Sequence, residues 1–171
     1  MRKSVLLIIT LFAISMTASA QKFALIDMEY ILKNIPAYNN ANDQLQKATQ
    51  KYQAEVEAVA KEAQNMFKDY QAKSASLSAA QKTQKEDAIV EKEKAAAELK
   101  RKYFGPEGEL AKMRDQLIQP IQDQIYEAVK LLAETNGYAV VLDRASASSI
   151  IFASPRIDIS NEVLAKLGYS N

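Results

Sequence analysis

Asp27 and Asp143 have the best claim to chemistry in this chain, because each ends a short apolar run. Paired carboxylates can share general acid–base work or hold a divalent cation. Neither aspartate has the company such work needs. The 171 residues include no histidine, no cysteine and no tryptophan, so the commonest general base, the commonest transition-metal ligand and the thiol nucleophile are all missing. No nucleophile elbow or phosphate-cradling glycine loop lies beside them. Polarity at a strand end is the stronger reading of both residues. No enzyme activity and no catalytic, cofactor-binding or metal-ligating residue is expected.

A second kind of chemistry needs no reactive group. Met66, Phe67, Tyr70 and Leu77 could meet another molecule, since methionine and aromatic side chains adapt to varied apolar partners. Lys100-Arg101-Lys102 could grip acidic ones, although a charge run on a helix is more often a solvated face. Met66 and Tyr70 lie on a heptad stripe, where seam packing is the commoner role, whereas Phe67 and Leu77 fall off it. Phe67 is the best contact candidate.

These residues must be carried by helices. Between Pro36 and Gly105 there is neither glycine nor proline, and the interval is rich in Ala, Lys, Glu and Gln, all good helix formers. From Leu45 through Tyr52, Val56, Val59, Ala63, Met66 and Tyr70 the apolar positions follow the alternating three and four spacing of a coiled-coil seam. The pattern resumes at Ile89 and runs through Ala96, Leu99, Tyr103, Leu110, Met113 and Leu117, with Lys92 as a polar interruption. Ser74-Ala75-Ser76-Leu77-Ser78 separates the two stretches, and serine hydroxyls compete for backbone hydrogen bonds inside a helix. Ser78 and Gln81 then form a capping box that starts a second helix. A helical hairpin over 37–109 follows, with its tip near 74–78. Its outgoing helix, about Ala37 to Lys73, spans ~55 Å at 1.5 Å per residue. Phe104-Gly105-Pro106-Glu107-Gly108 is a break signal, yet Tyr103 and Leu110 keep the seven-residue register across it, so a kink rather than a stop is predicted. Pro120 suggests a second bend, and Asn136-Gly137 ends the helix.

The ends of the chain read differently. Phe23-Ala24-Leu25-Ile26 and Tyr138-Ala139-Val140-Val141-Leu142 look like buried strands, and Ser149-Ile150-Ile151-Phe152-Ala153 like a third, reached by a hairpin and closed by Pro155. Ser160 is placed to cap a short helix over Asn161–Leu167, stopped by Gly168. Residues 21–36 and 110–171 thus make a small α/β body. So few strands bury little apolar area, so the body is expected to complete its core with other subunits. The fold class is α+β and mostly helical: a long antiparallel coiled-coil hairpin arm projecting from a small β body that oligomerises.

Met1-Arg2-Lys3, the apolar run Val5–Ile14 and Ala18-Ser19-Ala20 have the charged, apolar and small-residue regions of a signal peptide, residues 1–20, cleaved after Ala20. The apolar run is well short of the ~20 residues a bilayer needs. Removing Arg2 and Lys3 with it leaves 20 basic against 21 acidic residues, and nothing forces nucleic-acid binding.

With the leader in front and the heptad arms between, Phe23-Ala24-Leu25-Ile26-Asp27-Met28, Gly137-Tyr138-Ala139-Val140-Val141-Leu142-Asp143 and Asp158-Ile159-Ser160-Asn161-Glu162-Val163-Leu164 give the chain a resemblance to the Skp/OmpH family. That resemblance implies a periplasmic homotrimer with hairpins around a central cavity. It also implies ATP-independent holdase activity that keeps unfolded outer-membrane proteins from aggregating, with no cofactor. The family's best-known members are strongly basic, and this chain is near neutral, with ten basic against seven acidic residues between Lys61 and Lys102. The local excess leaves a mildly positive outer arm, and the near-neutral whole counts against lipopolysaccharide or membrane contact. The competing class is a structural or adhesive coiled-coil protein of the envelope, which would form a continuous rod instead of a hairpin.

Overall fold

The computed structural model describes residues 22–147 and 150–169. The leader and its cleavage point lie outside the described residues. In chain order the elements are β1 (Lys22–Ile26), α1 (Met28–Lys33), α2 (Pro36–Lys73), a 3-10 turn (Ser74–Ser76), α3 (Ala79–Phe104), α4 (Glu109–Asn136), β2 (Tyr138–Asp143), a second 3-10 turn (Pro155–Ile157) and α5 (Ser160–Lys166). The chain is α+β and mostly helical. None of the described helices is long and apolar enough to cross a membrane.

Two compact units divide it, one made of residues up to Ile31 and from Ile125, the other of Leu32–Gln124. The first holds the sheet. β1 and β2 run parallel, with Leu25 opposite Leu142 and an irregularity between Lys22 and Phe23. Parallel neighbours need a long crossover, and here everything between Met28 and Asn136 is that crossover. Ala24, Leu25 and Ile26 are all buried, as expected of a strand covered on both faces. They share the unit's core with Ile31, Ile125, Ala128, Ile159, Val163 and Leu164.

The third strand is a correction. Ile150–Ala153 form no strand, and Ser149 lies outside the described residues. β1 instead finds a single parallel bridge at Asp158, reinforced by the Ile159 N–H donating to the Leu25 carbonyl at 2.9 Å. The apolar run 150–153 has the composition of a strand but makes no ladder. The Ser160 cap is a second correction. Ser160 is the first residue of α5, not its cap, and its buried side chain is used elsewhere.

In the second unit α2 runs unbroken for 38 residues, opened by Pro36, a residue whose missing N–H costs nothing in a first helical turn. The chain turns through Ser74–Ser76, and α3 starts from the predicted capping box: Ser78 Oγ accepts from the Gln81 N–H while the Gln81 side chain accepts from the Ser78 N–H. The break at 105–108 is a stop, not the kink the heptad register suggests. α3 ends at Phe104, the Gly105 N–H caps the Arg101 carbonyl at 2.9 Å, and α4 begins at Glu109. Hydrophobic register can survive a loop of suitable length, so it does not report helix continuity. Pro120 lies inside α4, which continues to Asn136 and is ended by Gly137 at φ +70°, the left-handed conformation of a glycine stop.

Candidate functional site

The hairpin of α2 and α3 carries every contact candidate. Burial along it follows the heptad step: Leu45, Tyr52, Val56, Val59, Met66 and Tyr70 are half-buried and Ala63 is buried, while Glu57, Ala58, Ala60 and Lys61 between them are exposed. On α3, Ile89 and Tyr103 are buried and Lys92, Ala96 and Leu99 half-buried. A two-helix seam, open to solvent along both sides, cannot bury more.

Polar rungs fix the antiparallel register. The Tyr52 and Tyr103 rings stack with centroids 4.0 Å apart and planes 7° from parallel. The Tyr103 hydroxyl donates to the Glu55 carboxylate, which is the first cause that pushes this phenol up to about 12. Nearer the turn Lys92 pairs with Glu62 at 2.6 Å and Lys85 with Asp69 at 3.4 Å. The Tyr70 hydroxyl donates to Glu86. Lys73 also binds Asp69 and, ahead of Lys85, holds that carboxyl below its usual value against the opposing effect of burial. Exposed pairs of this kind are screened by solvent, so they specify alignment more than stability.

Met66 and Phe67 are adjacent in sequence and lie in different grooves. Met66 lines one of about 340 Å³ with Asp69, Lys85 and Ile89. Phe67, 46 % exposed, lines another of about 730 Å³ with Ala60, Ala63 and Ala96. Leu77 is half-buried at the end of the turn, its N–H donating to the Ser74 carbonyl at 3.4 Å. Lys100 is exposed. The Lys102 ammonium sits 5.5 Å from the Tyr103 ring centroid. Arg101 and Lys102 border a groove with Glu98, Glu107, Glu109 and Lys112, where charges of both signs mix. The basic run therefore makes no isolated positive patch.

The model of the family described as outer membrane protein (OmpH-like) matches residues 22–167. The chain belongs to this OmpH-like family. A crystal structure of a candidate outer membrane chaperone (OmpH-like) from Caulobacter crescentus CB15 shares the fold, with a TM-score of 0.66 at 15 % identity, over 87 % of this chain and 85 % of that one. No curated protein sequence matches the chain.

In this OmpH-like chain the two aspartates of the sheet are occupied by the backbone. Asp143 Oδ1 accepts the Met28 N–H at 3.1 Å and the Ala145 N–H at 3.0 Å. Asp27 Oδ1 accepts the Tyr30 N–H at 2.8 Å, which caps α1. Arg144 then spans two carboxylates, 3.1 Å from Asp27 and 3.4 Å from Asp158. Ser160 Oγ accepts the Asp27 N–H at 2.8 Å and donates to Asp158 at 2.6 Å. The arrangement joins the strand ends to α5. Sequence reasoning found Asp27 and Asp143 but missed Arg144, Asp158 and Ser160 as their network. It also missed the stacking of Tyr52 on Tyr103, which two aromatic seam residues equidistant from the turn could have signalled. Val90 and Phe104 are exposed apolar residues of α3 that it did not single out.

Proposed function

We propose that this protein is an exported, ATP-independent holdase chaperone of the periplasm, which binds unfolded outer-membrane proteins and prevents their aggregation without covalent chemistry. The observation that carries the reading is membership of the OmpH-like family across 22–167, on a chain whose central stretch is a reversing helical hairpin. The fold shared with a candidate outer membrane chaperone supports it. The leader, cleaved after Ala20, directs the chain across the inner membrane. Clients sit in a cavity between the hairpins of a homotrimer, where isolation of one unfolded chain blocks the strand pairing that leads to aggregates. Apolar surface left open on the first unit supports assembly: Val140 and Leu142 on β2, and Ile151 and Phe152 beyond it, are exposed. Phe67, Met66, Tyr70 and Leu77 are the client contacts of this reading, with Lys100, Arg101 and Lys102 secondary. The reversal at the serine turn, with Tyr103 bonded to Glu55 and Tyr70 to Glu86, removes the continuous rod that a spacer or adhesive coiled coil requires.

The test is refolding of an outer-membrane β-barrel protein diluted from denaturant, with stoichiometric mature chain and no nucleotide. Suppressed light scattering is expected. Aggregation that proceeds unchanged rejects the holdase reading, and a monomer by sedimentation rejects the cavity.

A further inference from the structure

The two halves of the hairpin seam are made of different side chains. In the half that holds the stacked tyrosines, the seam positions are Tyr52, Val56 and Val59 on α2 and Ala96, Leu99 and Tyr103 on α3, all apolar or aromatic. From there to the turn the seam positions of α3 are Lys82, Lys85, Ile89 and Lys92, three half-buried lysines around one buried isoleucine. A lysine in a seam position needs an acceptor across it, and Glu62 and Asp69 supply two. Those side chains are 60 % and 42 % exposed, so water and salt compete for them. The turn half keeps Ala63 buried at its inner edge and one large apolar rung, Met66 with Ile89, and beyond these its α3 seam is charged. Local opening begins where apolar contacts are fewest and backbone is most exposed.

We propose that the hairpin opens from its turn end, the helices parting outward of Glu62 and Lys92 while the Tyr52–Tyr103 stack holds the other half closed, and that the uncovered seam receives apolar segments of unfolded chains. Opening uncovers Met66, Tyr70 and Ile89 together. Phe67 is already exposed on the neighbouring face of α2, so two narrow apolar faces become one broad surface. The client part of this inference rests on the holdase reading, and the opening stands on the seam alone.

Two measurements on the mature chain decide it. Hydrogen exchange read by mass spectrometry should show the helical amides of 62–73 and 79–92 exchanging at least about tenfold faster than those of 45–59 and 96–103, and the double substitution Lys85→Leu with Lys92→Leu should remove the difference. Met66→Cys with Ile89→Cys places the chain's only two cysteines across the seam, and its oxidised form should suppress aggregation several-fold less than its own reduced form. Equal exchange in both halves overturns the opening. Fast exchange in the turn half, with oxidised and reduced forms equally active, overturns the client surface and leaves the holdase reading intact. An inactive wild-type chain rejects that reading and the client surface with it, while the exchange gradient still decides whether the hairpin opens.

Discussion

Ser160 is 4 % exposed, and its hydroxyl donates to Asp158 while accepting the backbone N–H of Asp27. Ser160→Ala leaves that N–H without its acceptor, and stranding a partly buried donor costs about 1–2 kcal/mol. Chemical denaturation should show this loss, with helix content unchanged at low denaturant. Asp143 makes a different prediction. Burial is the largest influence on its carboxyl and raises its pKa, but the Met28 N–H, Ser146 and the Ala145 N–H together outweigh burial and hold it below the ordinary 3.8. A carboxyl depressed by folding stabilises the native state above its unfolded pKa and loses that contribution as pH falls through the lower folded value. Thermal melts should therefore show the wild-type advantage over Asp143→Asn shrinking below about pH 4. An advantage that persists undiminished at pH 2 contradicts the assignment.

At the scale of elements, two glycines end helices for different reasons. Gly137 has φ +70° and open space where a Cβ would stand, so Gly137→Ala carries only backbone strain, about 1 kcal/mol. A Cβ on Gly105 would lie 2.4 Å from the Arg101 carbonyl oxygen, the same oxygen its own N–H caps. No side-chain rotation relieves that contact, so Gly105→Ala must displace the last turn of α3. The expected order in equilibrium unfolding is Gly105→Ala well below Gly137→Ala; the reverse order would mean the 105–108 loop is soft. The same loop shows why register misled at this point. Tyr103 and Leu110 are seven apart whether the intervening residues are helical or a turn, and the choice belongs to Gly105 and Gly108, whose backbones lie too close to their neighbours for any side chain.

For the whole molecule the question is what covers the first unit. β2 is apolar in sequence, yet Ala139, Val140 and Leu142 are exposed and none of its residues is buried. A strand of that composition normally packs against something. Under the proposed assembly Leu142→Glu should convert the protein to monomer in multi-angle light scattering while leaving its helical circular dichroism intact. Aggregation suppression should fall with it. A trimer that survives this change would place the interface elsewhere.

What the sequence determined by itself came from short-range rules: the long helices, from composition and the absence of glycine and proline; the seam, from its three and four spacing; the start of α3, from Ser78 and Gln81; the end of α4, from Gly137. Each depends on residues within a turn or two of one another. Tertiary structure alone decided which strands pair, since an apolar run such as 150–153 has the composition of a strand whether or not a ladder forms. It decided too that β1 and β2 run parallel, that Arg144 bridges two carboxylates, and that Ser160 reaches back 133 positions to Asp27. Those are meetings of distant residues, fixed by how the chain closes in space and carrying no periodicity to read.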